Sequence, residues 1–169
     1  MHTKEAIQFA LTLSDKAVMS LIDKTTDTPT QFPTSNGGCH PLWVLGHLTF
    51  VESFLPAVLF GEPSLVAGWQ KFFGEGSEPV DDANAYPSFA EIRKRYQELR
   101  ARNLEILASL TDADLDKPTV APPPGREHEF STFGRSFLTI ALHQALHRSH
   151  LSDALRSAGR IAPALKVAS

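Results

Sequence analysis

The chain has 169 residues, of which 42% are hydrophobic and 21% charged, and its formal net charge is −3. These values are typical of a folded globular protein, and the length predicts one domain over residues 1–169. Without an excess of basic residues, nucleic acid is not expected as a partner, and the single cysteine excludes an internal disulfide framework. We expect a cytoplasmic protein without a membrane span, because no segment resembles a secretion signal and the most apolar stretch, residues 44–60, is too polar and too short.

The first two helices are predicted from apolar residues that recur every three or four positions. The first covers about residues 4–24 and ends before a run rich in Thr, Asp and Pro. The second begins near Pro41, because proline suits the first position of a helix. Pro56 lies inside this second pattern and predicts a kink or a break in its last turn.

Residues 61–87 form a long connection with several glycines, prolines and aromatic residues, and we predict one short helical turn in it. The third helix follows, with Ser88 and Glu91 spaced as a capping box, and its apolar stripe continues to Leu110. Its other face is predicted to be a solvated surface that carries Arg93, Lys94, Glu98, Arg100 and Arg102.

A second connection, residues 111–130, contains four prolines. The fourth helix is predicted to start after Ser131 or Thr132, which are good capping residues, and to stop near Gly159. No stretch alternates with the period of a β-strand. The chain is therefore predicted to be an all-α four-helix bundle with a long crossover between helices 2 and 3.

Histidines on two of these helices suggest a metal site. His143, His147 and His150 lie within a narrow arc of the fourth helix, and His47 lies on the apolar stripe of the second. Facing helices in a bundle lie about 8–10 Å apart, so imidazoles from both could bind one ion. The alternative is a set of hydrogen-bonded core histidines. The spacing alone does not decide whether His150 is a ligand.

Two segments resemble motifs of the DinB/YfiT-like metal-binding four-helix bundles. One is Pro41-Leu42-Trp43-Val44-Leu45-Gly46-His47-Leu48, with Glu52 after it, and the other is His143-Gln144-Ala145-Leu146-His147-Arg148-Ser149-His150-Leu151. The order of the elements, the long crossover and the length are also similar to that family, so that the resemblance extends over nearly the whole chain.

The resemblance implies that His47, His143 and His147 are the metal ligands. His150 stands where the family commonly has Gln, which implies a residue beside the ligands, and Trp43 belongs to the same pocket. From the residues themselves, His40 is expected to cap the second helix or line the pocket mouth, and the alternative is plain exposure on the surface. Glu52 is expected to orient a ligand imidazole, because metal-bound histidines often donate their second N–H to a carboxylate.

Two functions remain open at this stage. The resemblance implies a metal-dependent transferase or hydrolase acting on a small molecule, such as a low-molecular-weight thiol like bacillithiol or mycothiol. The alternative is a non-catalytic, stress-related metal-binding protein. Three imidazoles suit zinc or nickel first, and also iron or copper. A homodimer is expected, both from the resemblance and from the apolar residues between Trp69 and Phe73.

Overall fold

The structure is a computed structural model that describes residues 2–33 and 37–162. Within these residues it is all-helical and has no β-strand, as predicted. Four helices have 20 or more residues, and a four-residue helix lies in the first long connection, where one short helical turn was predicted. The helices are α1 (Thr3–Ile22), α2 (Pro41–Phe60), α3 (Gln70–Phe73), α4 (Phe89–Ser109) and α5 (Phe133–Ser157).

Local capping chemistry explains where the long helices begin. Pro41 occupies the first turn of α2, and the His40 ring accepts a hydrogen bond from the backbone N–H of Trp43. The hydroxyl of Ser88 accepts from the N–H of Glu91 at the start of α4, and that of Thr132 accepts from Arg135 at the start of α5. Each cap satisfies one backbone donor that the first helical turn leaves free.

Pro56 does not interrupt α2, which continues to Phe60. Proline has no N–H to donate, so the carbonyl four residues earlier, on Glu52, loses its helical partner. The side chain of Asn103 on α4 donates to that carbonyl over 2.9 Å. A neighbouring helix thus supplies the missing hydrogen bond, and the predicted break does not occur.

Helix α2 lies at the centre of the packing, against α4 and α5, while α1 packs mainly against α5. It is the one described helix whose length and composition would suffice to cross a membrane, and it is longer than the apolar stretch identified in the sequence. However, 78% of its most apolar window is buried inside the fold. The centre of the bundle is thereby built from α2, and His47 lies on its side facing α5.

Candidate metal centre

Three histidine side chains from two helices meet between α2 and α5. The Nε2 atom of His143 lies 3.2 Å from Nε2 of His47 and 3.2 Å from Nε2 of His147. One ring nitrogen from each residue lies within 4.8 Å of the others, so that together they could hold a metal ion. His143 and His147 share one face of α5 because they are four residues apart. The structure therefore brings together the three histidines that the family resemblance implied.

The hydrogen bond on the far side of the His47 ring determines which of its nitrogens carries the proton, and His147 has a similar contact. Nδ1 of His47 donates to the carbonyl oxygen of Phe73 over 2.7 Å, because a carbonyl can only accept. The Nε2 of this neutral ring consequently has a lone pair directed at the other two histidines. Nδ1 of His147 lies 3.3 Å from Nδ1 of His150. If His147 is the donor of that pair, its Nε2 is an acceptor as well.

The three imidazole nitrogens are better suited to binding a metal ion than to forming hydrogen bonds with one another. A proton on Nε2 of His143 could satisfy only one of the two neighbouring lone pairs at a time, whereas a cation can accept from all three nitrogens. Nδ1 of His143 is buried and has no hydrogen-bond partner among the residues described. The cluster is thus incompletely satisfied by hydrogen bonds within the protein.

Burial keeps these imidazoles neutral, which is the form that binds metals. Burial and the neighbouring His47 lower the pKa of His143 to about 4. Burial together with the adjacent histidines lowers the pKa of His147 to about 2. The pKa of His47 is also lowered, mainly by burial. At neutral pH, none of the three has to lose a proton before it can bind a cation.

The position of His47 depends on the close approach of α3 to α2. A Cβ atom on Gly46 would lie 2.2 Å from a ring carbon of Phe73, so only glycine allows this contact. Phe73 is fully buried, and its carbonyl is the acceptor for His47. On the opposite side, the indole of Trp43 stacks on the His47 ring and donates to the carbonyl of Phe72 over 3.1 Å. The crossover is therefore part of the site.

Two further histidines were considered as site residues from the sequence, and only His150 contacts the cluster. His150 is half-buried and contacts His147 edge-on, with 5.1 Å between ring centroids. His40 is completely buried, caps α2 and donates through Nε2 to the carbonyl of Val80 over 3.1 Å. His40 consequently has no exposed surface with which to line a pocket mouth, and the capping alternative applies.

Glu52 differs from expectation, because its carboxylate contacts α4 and α5 side chains and no imidazole among the described residues. It accepts from Arg100 over 2.8 Å, from Asn103 over 2.7 Å and from Gln144 over 2.8 Å. The offset of five residues from His47 directs Glu52 toward α4 instead of toward the histidine cluster.

The assignment of Arg100 to the solvated face of α4 is wrong. Its side chain is 5% exposed, and it binds Glu52 and the carbonyl of Leu11. The charge pattern predicted that this face of α4 is exposed to solvent. Arg100 instead neutralises the buried carboxylate of Glu52 on α2. Gln144 extends this buried polar network to Tyr96.

A cavity of about 440 Å³ borders the histidine cluster. His47 and His143 lie in its wall, together with aromatic side chains such as Phe50, Phe54 and Phe130. The proline-rich connection contributes Arg126, and the crossover contributes Glu75. A cavity of this size can hold a small organic molecule beside the imidazoles.

The crossover is less available for self-association than its composition indicated. Phe73 is buried, and Trp69 and Phe72 pack as half-buried residues against the core around α2. Large exposed apolar side chains are found on α5, where Leu138, Leu142 and Leu146 form a row spaced by four residues. Others lie on α1 at Phe9 and Leu13, and in the crossover at Leu65 and Val80.

Several residues of the site were not identified from the sequence, namely the carbonyl of Phe73, Gln144 and Arg126. The glycine at position 46 is the one available signal for Phe73, because an isolated glycine inside a helix indicates close approach of another segment. Gln144 was contained in the fourth-helix motif without an assigned role. Nothing in the local sequence places Arg126 beside His143.

Comparison with known proteins identifies the family. The family model of the DinB superfamily matches residues 10–151, which include all three clustered histidines and most of the helical core. No match was found among curated proteins or among solved structures. Since the match extends over more than half of the sequence, the chain belongs to the DinB superfamily.

Proposed function

We propose that this protein binds one divalent transition metal through His47, His143 and His147. The observation that supports the proposal is the convergence of their Nε2 atoms, with His143 3.2 Å from each of the other two. Imidazole nitrogens suit zinc and nickel, which we expect first, and also iron and copper. An ion held in this way by α2 and α5 would link two helices that are far apart in the sequence.

The residues around the ligands would hold them in the form that binds a metal. The carbonyl of Phe73 keeps the proton of His47 on Nδ1, and His150 can do the same for His147. Trp43 restricts rotation of the His47 ring by stacking on it. Bound in an open three-histidine site, the ion would lower the pKa of a coordinated water or thiol.

We further propose a metal-dependent transferase or hydrolase that acts on a small molecule, with a low-molecular-weight thiol as the candidate nucleophile. The supporting observation is that His47 and His143 lie in the wall of the cavity, so a molecule bound there would reach the ligands. In a transfer, the sulfur would form a bond to an electrophilic carbon while that carbon's leaving group departs with its bonding electrons. The proton of the thiol would go to solvent.

Metal analysis and a substrate screen test these two proposals separately. The purified protein should contain about one transition metal ion per chain, and a His143→Ala variant should contain none. Electrophiles would then be offered with several thiols, or with water alone, to metal-loaded and metal-stripped protein. Turnover that requires the metal supports the enzyme. Stoichiometric metal without turnover of any pair supports the non-catalytic, stress-related protein instead.

The remaining expectations about architecture are also proposals. We infer that the four long helices form the four-helix bundle of the family, with residues 61–88 as its crossover, and that residues 1–169 fold as one domain in the cytoplasm. For the homodimer, the row of Leu138, Leu142 and Leu146 is a better candidate interface than the packed aromatics of the crossover. Sedimentation of the intact protein at micromolar concentration checks the oligomeric state.

A further inference from the structure

Arg126 differs from most other arginines of the described chain in its lack of an ion-pair partner. The side chains of Arg93, Arg95, Arg100, Arg102, Arg156 and Arg160 each contact a carboxylate. The guanidinium of Arg126 has no such contact with any described residue. Its guanidinium carbon lies over the ring of Phe130, 5.7 Å from the ring centroid.

The backbone of the proline-rich connection fixes the position of Arg126. Its N–H donates to the carbonyl of Pro123 over 3.0 Å, and its own carbonyl accepts from the N–H of Phe130 over 3.1 Å. Phe130 is buried, so this turn is anchored in the fold at one end. The backbone around Arg126 is therefore held in an ordered turn, and its side chain, which is largely exposed to solvent, lies at the cavity wall.

Two charged side chains line the cavity together with His47 and His143. Arg126 contributes a cation to its wall, and Glu75 contributes a carboxylate. The aromatic side chains Phe50, Phe54 and Phe130 belong to the same wall. The cavity therefore offers a guanidinium beside an apolar surface.

We propose that Arg126 recognises the carboxylate of a small substrate whose apolar part lies against Phe50, Phe54 and Phe130. A guanidinium with five donors matches a carboxylate in a two-pronged geometry, and a wall of aromatic rings takes up an apolar body. The substrate class rests on the proposed function, because the histidines at the same cavity would provide its reactive site. The binding preference itself can be measured without any reaction.

Two matched probes test this inference. 4-Phenylbutanoate carries a carboxylate, and 4-phenylbutanamide has nearly the same shape without the charge. Titration calorimetry would measure both dissociation constants on zinc-loaded and on metal-free protein, for the wild type, for Arg126→Gln and for Arg95→Gln. Arg95 pairs with Glu98 on the surface of α4 and is absent from the cavity wall, so its variant controls for net charge.

We expect the wild type to bind the acid about 10-fold or more tighter than the amide, because a charged carboxylate accepts stronger hydrogen bonds from a guanidinium than a neutral amide does. The preference should be present in metal-free protein, disappear in Arg126→Gln and persist in Arg95→Gln. A preference that survives Arg126→Gln, or that requires zinc, would mean that the carboxylate binds elsewhere and would overturn the inference. Failure of the acid to bind the wild type at millimolar concentration would overturn it too. Absence of zinc binding, by contrast, would refute the metal site and leave the metal-free comparison intact.

Discussion

The indole ring of Trp43 lies parallel to the imidazole of His47, with 4.8 Å between the ring centroids and 6° between their planes. The two residues are one helical turn apart on α2. The same indole donates to the carbonyl of Phe72, and His47 donates to the carbonyl of Phe73. Two residues of α2 that are one turn apart therefore donate hydrogen bonds to two consecutive carbonyls of α3. These bonds align the crossover with the histidine cluster.

Replacing Trp43 by Phe should separate stacking from this hydrogen bond. Phenylalanine retains a ring beside His47 but cannot donate to the Phe72 carbonyl. The free energy of unfolding of the metal-free variant should fall by about 1–2 kcal/mol in urea titrations, reflecting the lost bond and some lost packing. Metal stoichiometry should be unchanged. Loss of the metal from this variant would show that the indole does more than support the ring.

The ligand assignment predicts different behaviour for two histidines of α5. A His143→Ala variant should lose stoichiometric metal, as measured by elemental analysis, while its circular dichroism spectrum stays helical. A His150→Ala variant should retain one ion per chain with an affinity about 10–100-fold lower, because partners of ligand histidines affect binding by that amount. Full metal content in the first variant and none in the second would reverse the assignment.

A methyl group on Gly46 should disturb the site through the crossover. In Gly46→Ala, the new carbon would collide with the ring of Phe73 and displace the carbonyl that holds His47. Stability should fall by about 1–3 kcal/mol, and metal affinity should fall with it. Gly68→Ala is the control, because a Cβ there would meet no atom within 4 Å. Equal effects of the two changes would contradict the role given to the Gly46–Phe73 contact.

The buried ion pair between Arg100 and Glu52 predicts an asymmetry between two arginines of α4. Arg100→Met leaves the buried carboxylate without its cation and should cost about 3–5 kcal/mol in unfolding free energy. Arg93→Met removes a partly exposed pair with Asp23 and should cost no more than about 1 kcal/mol. Adding Glu52→Gln to Arg100→Met should recover part of the loss. Chemical denaturation of all four proteins measures these differences.

His40 predicts a specific pH dependence of stability. Burial lowers its pKa in the folded protein, whereas the unfolded chain takes up a proton near the ordinary value of about 6.5. The unfolded state then binds more protons, so the stability from His40 is complete above about pH 6.5 and is lost as the pH falls below it. Asparagine also caps helices but does not titrate. Between about pH 7.5 and about pH 5.5, His40→Asn should therefore lose less stability than the wild type.

The helical elements were predictable because their signals are local. Pro41, Ser88 and Thr132 mark helix starts through their own backbone and side-chain chemistry, and the structure places helices directly after or at them. The break that Pro56 allowed did not occur, and this was unpredictable for the opposite reason. Whether a proline ends a helix depends on another partner for the freed carbonyl, and that partner, Asn103, lies on a different helix.

The same distinction applies to the site. The proximity of His143 and His147 follows from helical spacing, and the approach of His47 follows from the packing of two apolar faces. The environments of Glu52, Arg100 and Arg126 depend on which elements meet in three dimensions, and no spacing within one helix contains that information. Residue type alone predicted that Arg100 is exposed to solvent, whereas its side chain is buried and forms an ion pair with Glu52.

The central position of α2 has a consequence for synthesis of the protein on the ribosome. The helix is covered by α4 and α5, and α5 ends about 100 residues after α2. At translation rates of about 5–20 residues per second, the nascent chain carries its most apolar helix without its final cover for on the order of 5–20 s. Chains truncated before residue 133 would keep this surface permanently open. Such fragments should depend on chaperones and should aggregate more readily than the complete protein.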